Sequence, residues 1–190
     1  LDTHKILNDL NSDKNYVAKE YFSNFQLKKN SCEILTDKTY QNFLWIGFIK
    51  IFFANSVVIN CKRNPKDVCF SIFKNTFKDP GMDWAYDQKD IATYYNIYSE
   101  MISFWERIIP KFIFNLDYDL LISNPEKEIR NLIENCGLDW DDNCLSHHKN
   151  KNIVNTTSNV QVRKKIYKSS KNSYLNYERY LLQMFDVLKL

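Results

Sequence analysis

The chain has 190 residues, of which 44% are hydrophobic and 15% aromatic, and this is enough to form one globular domain over residues 1–190 with a buried core. The formal net charge is only +3, which argues against a protein built around nucleic-acid binding. The longest apolar run, Phe43 to Phe53, contains Lys50 and is far shorter than the ~20 residues of a membrane-spanning helix. The N-terminus shows no signal peptide.

The cysteines and histidines indicate neither a disulfide framework nor a metal site. The five cysteines are odd in number and contain no Cys-x-x-Cys pair. His147 and His148 are adjacent, and histidines in that arrangement face solvent more often than they bind a metal. We therefore expect a reducing, cytoplasmic environment and no metal ion.

Apolar periodicity and turn residues predict helices that alternate with strands. The predicted helices cover residues 13–29, 42–53, 65–77, 87–109, 125–137 and 174–188, and the predicted strands cover residues 33–36, 56–60 and 111–116. Asn64-Pro65 and Asn124-Pro125 are typical helix starts, because asparagine caps unpaired amides and proline at the first helical position loses no hydrogen bond. The alternation predicts an α/β fold with a central, mainly parallel sheet flanked by helices.

The turn after the strand at 56–60 has the layout of a phosphate site. Ligands of open α/β sheets bind beyond the carboxyl ends of the strands, where a helix N-terminus offers amides and partial positive charge. Arg63 leaves the strand at this turn and Ser71 lies two turns into the next helix, so both can reach one phosphate. The pattern alone slightly favours the simpler alternative, in which Arg63 is a surface charge and Ser71 an ordinary helix residue. With three glycines, the chain has no glycine-rich phosphate loop.

Several segments resemble, in the same order, those of sulfotransferases that use the nucleotide sulfate donor PAPS. Residues 62–71, which read Lys-Arg-Asn-Pro-Lys-Asp-Val-Cys-Phe-Ser, resemble the 3′-phosphate-binding signature of that family. Further resemblances to bacterial tyrosylprotein-type sulfotransferases, which are often linked to TPR repeats, occur at residues 36–44, 118–126, 136–140 and 157–170. The resemblance implies a sulfotransferase fold of the P-loop nucleotide kinase type.

The resemblance also implies which residues bind the donor. Arg63 and Ser71 would hold the 3′-phosphate of PAPS, and Tyr118 would contact the nucleotide. A donor-covering loop would contribute the remaining contacts; its residues are Ser158, Gln161, Val162 and Arg163.

Two residues have catalytic roles by the same resemblance. Lys38, in the segment Thr36-Asp37-Lys38, would approach the bridging oxygen of the phosphosulfate, and Ser158 would touch the sulfate or the 5′-phosphate. A cation at the leaving oxygen and fixed hydrogen-bond donors lower the barrier to sulfuryl transfer. The expected reaction moves the sulfuryl group from PAPS to a hydroxyl of a protein tyrosine, a carbohydrate or a small molecule. For Lys38 the alternative is a surface lysine, and for Ser158 and Arg163 it is a mobile basic loop.

Two features of the family have no counterpart in this sequence. Relatives carry a loop of the Pro-Arg-Ser-Gly-Thr type that cradles the 5′-phosphosulfate, and a glutamate that takes the acceptor's proton. Because the sequence begins at Leu1 without methionine, we expect a fragment that lacks this N-terminal loop. In addition, Ser173 precedes Tyr174 at a place where relatives have a basic residue.

Other hypotheses remain open at this point. The chain could be a catalytically silent nucleotide-binding or protein-interaction module derived from the same fold. The basic stretch between His147 and Lys171 could be a nucleic-acid-binding arm, but its only aromatic residue is Tyr167, so we expect no nucleic-acid partner.

A group of aromatic residues has two interpretations. They are Trp84, Tyr86, Tyr94, Tyr95 and Tyr98. They could line a pocket for the acceptor, but helical core packing explains the last three more simply.

Overall fold

The computed structural model describes residues 16–21, 23, 34–77, 80–150, 163, 166 and 171–189. The helices are α1 (Ile46–Phe52), α2 (Pro65–Phe73), α3 (Gln88–Ile108), α4 (Tyr118–Ser123), α5 (Pro125–Asn135) and α6 (Leu182–Val187), and the strands are β1 (Val58–Lys62) and β2 (Ile113–Asp117). Short 3₁₀ segments cover Asn42–Leu44, Asp83–Tyr86, Asp142–Lys149 and Ser173–Tyr180, and residues 16–21 are helical. The predicted alternation of helices with strands is confirmed for this part of the chain.

The two strands form a small parallel sheet. Val58 lies opposite Ile113, and Lys62 lies opposite Asp117. Parallel strands require a crossover connection, and α2 and α3 provide it here. The carboxyl ends of both strands therefore meet at one edge of the sheet, and the residues that follow β1 and β2 start close together. This arrangement is consistent with an α/β sulfotransferase fold, although the described sheet is smaller than the one we predicted.

The long helix α3 separates two groups of buried apolar residues. On one side it packs against α2 and α6, where the buried residues are Cys69, Phe70, Ile91, Ala92, Leu181, Met184 and Leu188. On the other side the buried residues are Phe43, Ile46, Ile102 and Ile113. Burial of these side chains is the main stabilising contribution, at about 1.5–3 kcal/mol for each large aliphatic or aromatic residue. The core thus holds α2, which starts at Pro65, firmly against α3.

The structure corrects several predicted boundaries. Both observed strands begin two residues later than predicted, and residues 34–36 form neither a helix nor a strand, so the strand predicted at 33–36 is not found among the described residues. Helix α2 ends at Phe73 rather than at Phe77, because the hydroxyl of Tyr86 bonds the backbone of Phe77: the Phe77 N–H donates at 3.0 Å and its carbonyl oxygen accepts at 2.7 Å. The C-terminal helix is also divided, since Ser173–Tyr180 is 3₁₀ and only Leu182–Val187 is α-helical.

The helix caps agree with the prediction at one Asn-Pro pair and not at the other. The side chain of Asn64 accepts a hydrogen bond from the Lys66 N–H at 2.9 Å, as predicted. Asn124 makes no such side-chain cap, so that prediction is wrong. The preceding helix α4, which we did not predict, is capped by Asp117, whose carboxylate accepts from the Leu120 N–H at 3.0 Å.

Replacement of Gly47 by alanine is expected to destabilise the protein. A Cβ atom at residue 47 would lie 2.6 Å from Cη2 of Trp105, whose indole N–H donates a hydrogen bond to the Phe43 carbonyl at 3.0 Å. Alanine normally stabilises a helix by about 1 kcal/mol relative to glycine. Overpacking against a fixed indole costs about 1–3 kcal/mol, so we expect a lower Tm in thermal melting.

A double variant tests the cause of this effect. In the Trp105→Leu background the indole is gone, and Gly47→Ala should no longer lower Tm. If Gly47→Ala destabilises both backgrounds equally, the contact with Trp105 is not the reason for the glycine.

Candidate functional site

Arg63 lies at the carboxyl end of β1, immediately before α2. Asn64 and Pro65 start the helix within two residues of the strand, because the Asn64 side chain caps the first turn and Pro65 needs no amide partner. The unpaired amides and the positive end of the helix dipole therefore lie beside Arg63. This is a suitable environment for an anion.

The side chain of Arg63 is largely enclosed, with 17% of its surface exposed. Its Nη2 atom lies 3.6 Å from Oδ2 of Asp67, one helical turn into α2. Its Cζ atom lies 5.1 Å from the ring centre of Tyr118, the first residue of α4 after β2. The fold thus brings together two of the predicted donor-binding residues, Arg63 and Tyr118, from neighbouring strand ends. Arg63 is not a solvated surface charge.

Ser71 lies on α2, on the same face as the carboxylate that contacts Arg63. Asp67 and Ser71 are four residues apart in the helix, so they are neighbours on its surface. Ser71 is partly buried. The helix therefore presents Ser71 on the side where the Arg63 guanidinium lies, as binding to a shared phosphate requires.

Lys38 is exposed, and its neighbour Asp37 is firmly held. Asp37 accepts hydrogen bonds from the hydroxyls of Tyr21 at 2.7 Å and Thr39 at 2.8 Å. Burial raises the pKa of Asp37, but hydrogen bonds from Tyr21, Thr39 and Asn42 outweigh burial and leave the pKa below its usual value. Asp37 is thus a charged anchor for the backbone next to Lys38. The sequence contained no signal that Tyr21 supplies this contact.

The donor-covering loop falls mostly outside the described residues. Ser158, Gln161 and Val162 are not among them, so their roles stay predictions. Arg163 is described and exposed.

An aromatic cleft of about 180 Å³ opens beside Arg63. Its aromatic walls are Tyr40, Phe43, Trp84, Tyr94, Tyr95 and Tyr98. Trp84 and Tyr94 are stacked, with ring centres 4.0 Å apart and planes 8° from parallel. Four of the five aromatic residues singled out in the sequence therefore face one cleft, and all four also pack against the core. Tyr86 does not line it, because its hydroxyl bonds Phe77.

Tyr40 is a wall residue that the sequence reasoning missed, although it stands two positions after Lys38. That the cleft receives the acceptor stays a prediction.

Neither a metal cluster nor a membrane span is found in the part of the chain that the structure describes. Within it, no three His, Cys, Asp or Glu side chains are grouped so that they could hold a metal ion. No helix there combines the length and the apolar composition needed to cross a bilayer. Cys61, Cys69, Cys136 and Cys144 are free thiols.

Most of the sequence matches one known protein family. Residues 1–142 match the model of the sulfotransferase family. The chain belongs to the sulfotransferase family. The matched range contains Lys38, Arg63, Ser71 and Tyr118 and ends before Ser158.

The sulfotransferase chain is also similar to an uncharacterized protein of Aquifex aeolicus (strain VF5). The two are 38% identical over 157 residues, which cover 82% of this chain and 21% of that protein. The chain therefore spans about a fifth of the length of this relative.

Proposed function

We propose that this sulfotransferase uses PAPS as its donor and transfers the sulfuryl group to an acceptor hydroxyl. The products are a sulfate ester and adenosine 3′,5′-bisphosphate. Arg63 and Ser71 bind the 3′-phosphate, Tyr118 contacts the nucleotide, and Ser158, Gln161, Val162 and Arg163 complete the donor site.

The placement of Arg63 carries this proposal. A largely enclosed guanidinium lies at the carboxyl edge of a parallel sheet, beside the N-terminus of α2 and 5.1 Å from the ring of Tyr118. An arginine in that setting offers a fork of fixed hydrogen-bond donors to a phosphate, and the helix amides add further donors. A 3′-phosphate distinguishes PAPS from most other adenine nucleotides, so we expect an arginine that binds this phosphate and thereby selects the donor.

The chemistry assigned to Lys38 follows from the charge balance of the reaction. The acceptor oxygen forms a bond to sulfur while the bond between sulfur and the bridging phosphate oxygen breaks. The electron pair of the broken bond stays on the phosphate oxygen, and the acceptor proton leaves to a base. A lysine ammonium beside the bridging oxygen stabilises the charge that develops there. Ser158 donates a hydrogen bond to the sulfate or the 5′-phosphate.

The chain is assigned here to one subgroup of the sulfotransferase family. Segments between Thr36 and Tyr180 resemble, in the same order, those of bacterial tyrosylprotein-sulfotransferase-like members, which are often linked to TPR repeats. Residues 1–190 then form one domain of the P-loop nucleotide kinase type. The sequence contains no Pro-Arg-Ser-Gly-Thr-type loop, so measurements of catalysis belong on the full-length protein.

A titration of the wild-type protein tests the donor site. By isothermal calorimetry we expect micromolar binding of adenosine 3′,5′-bisphosphate and binding of adenosine 5′-monophosphate that is weaker by about 10-fold or more, because charge-assisted hydrogen bonds are the strong ones. Equal affinity for both nucleotides would falsify the assignment of a 3′-phosphate site. Selective binding without sulfuryl transfer by the full-length protein would instead favour the catalytically silent nucleotide-binding module.

A further inference from the structure

Asp67 is a fully buried carboxylate in a helix that otherwise buries apolar side chains. None of its surface is exposed, and Cys69 and Phe70, two and three residues further along α2, belong to the apolar core. A buried charge is costly unless it is paired and hydrogen-bonded. The partners of Asp67 therefore indicate what keeps a carboxylate at this position.

Those partners come from two distant parts of the chain. Arg63 approaches Oδ2 at 3.6 Å from the end of β1. The backbone N–H of Asn172 donates to Oδ2 at 2.8 Å, and the hydroxyl of Ser173 donates to Oδ1 at 3.4 Å. Asn172 has a left-handed backbone conformation, with φ of 57°, which asparagine tolerates better than most residues.

A second contact ties the same turn to the Tyr118 side of the site. We call residues 171–173 the C-terminal turn. Lys171 lies 3.5 Å from Oδ2 of Asp119, and Asp119 directly follows Tyr118, whose ring faces Arg63. The C-terminal turn thus bonds both to the carboxylate that holds Arg63 and to the residue next to Tyr118.

We infer that Asp67 is a positioning residue that holds the Arg63 guanidinium and the C-terminal turn in one fixed arrangement around the 3′-phosphate. This inference rests on the proposed function. Asp67 does not touch the ligand; it restricts the orientation of Arg63, so that less freedom is lost when the phosphate binds. Because its own charge is negative, Asp67 opposes the anion electrostatically, and only its effect on orientation can favour binding.

The effect of Asp67 on the orientation of Arg63 and the effect of its negative charge change the affinity for a 3′-phosphate in opposite directions, so a substitution distinguishes them. We would measure the ratio of the affinities for adenosine 3′,5′-bisphosphate and adenosine 5′-monophosphate in Asp67→Asn, with Glu100→Gln as a control for removal of an exposed carboxylate paired with Lys189. Loss of preorganisation at one long side chain should lower the ratio in Asp67→Asn by about 3- to 10-fold, while the control keeps the wild-type ratio.

The other outcomes overturn the inference. If Asp67 has only a structural role, both nucleotides change together and the ratio stays constant. If its charge dominates, the ratio rises. Should Asp67→Asn fail to fold by thermal melting, Ser173→Ala removes one donor to the same carboxylate and should lower the ratio by about 2-fold, and an unchanged ratio there rejects the inference. A wild-type protein that does not distinguish the two nucleotides rejects the proposed donor site itself.

Discussion

The Arg63→Ala variant is expected to bind adenosine 3′,5′-bisphosphate about 10- to 100-fold more weakly than the wild-type protein, because hydrogen bonds to charged groups contribute about 1.5–3 kcal/mol each. The guanidinium is largely enclosed, so water screens its interaction with a phosphate less than at an exposed site. Binding of adenosine 5′-monophosphate, which has no 3′-phosphate, should change little. Calorimetric titration with both nucleotides measures the two effects.

Two further variants control this experiment. Arg107→Ala removes an exposed arginine near the end of α3, where it stacks on Phe104, and should leave both affinities unchanged. Arg63→Lys keeps the positive charge beside buried Asp67 but loses the planar fork, and we expect a loss of about 3- to 10-fold. Arg63→Lys also controls for misfolding. Arg63→Ala leaves the buried carboxylate of Asp67 without its ion pair and could destabilise the fold, whereas Arg63→Lys retains a cation beside Asp67. If a folded Arg63→Ala variant binds the bisphosphate as tightly as the wild type, Arg63 does not hold the 3′-phosphate.

Substitution of Lys38 by alanine is expected to lower kcat of the full-length enzyme by about 100- to 1000-fold, the effect of removing one group that stabilises developing charge in a transition state. The affinity for adenosine 3′,5′-bisphosphate should stay close to that of the wild type, because this product has no sulfate and no bridging oxygen. Since Lys38 is exposed, we also expect no change in Tm. Steady-state kinetics with PAPS and calorimetry with the bisphosphate separate the two effects.

Lys89 provides a matched control for Lys38. It is another exposed lysine, at the start of α3, and Lys89→Ala should keep wild-type turnover. Retention of kcat in Lys38→Ala would remove the proposed role at the bridging oxygen. Loss of bisphosphate binding in the same variant would assign Lys38 to nucleotide binding rather than to catalysis.

Local signals in the sequence predicted the helix ends where the capping group lies within a few residues. Asn64-Pro65 starts α2, and Asp87 caps α3 through the N–H groups of Lys89 and Asp90 at 2.8 and 3.1 Å. Gly137 follows α5 with φ of 67°, a conformation that glycine adopts without strain. In each case the bonded atoms are close in sequence, so the pattern alone contains the cause.

Boundaries that depend on distant groups were predicted poorly. The last turn predicted for α2 is absent because Tyr86, nine residues away, bonds the Phe77 backbone. Nothing near Gly47 in the sequence indicates that Trp105 lies against it. The described part of the chain also has only two paired strands, because strand formation depends on which segments pair with each other. The periodicity of a single segment does not specify its partner.

The sequence by itself determined the family, the approximate positions of α2, α3, α5, β1 and β2, and the Arg63-Asn64-Pro65 turn, because these depend on motifs and caps whose parts are neighbours along the chain. Only the tertiary structure decided that Arg63 meets Tyr118, that Asp37 is anchored by Tyr21, and that Asp67 binds the C-terminal turn. Parallel pairing of β1 with β2 brings Arg63 to Tyr118, and packing of α2 against Ser173–Tyr180 brings Asp67 to the C-terminal turn. Such contacts join residues up to 106 positions apart in the sequence, and no local sequence pattern spans that separation.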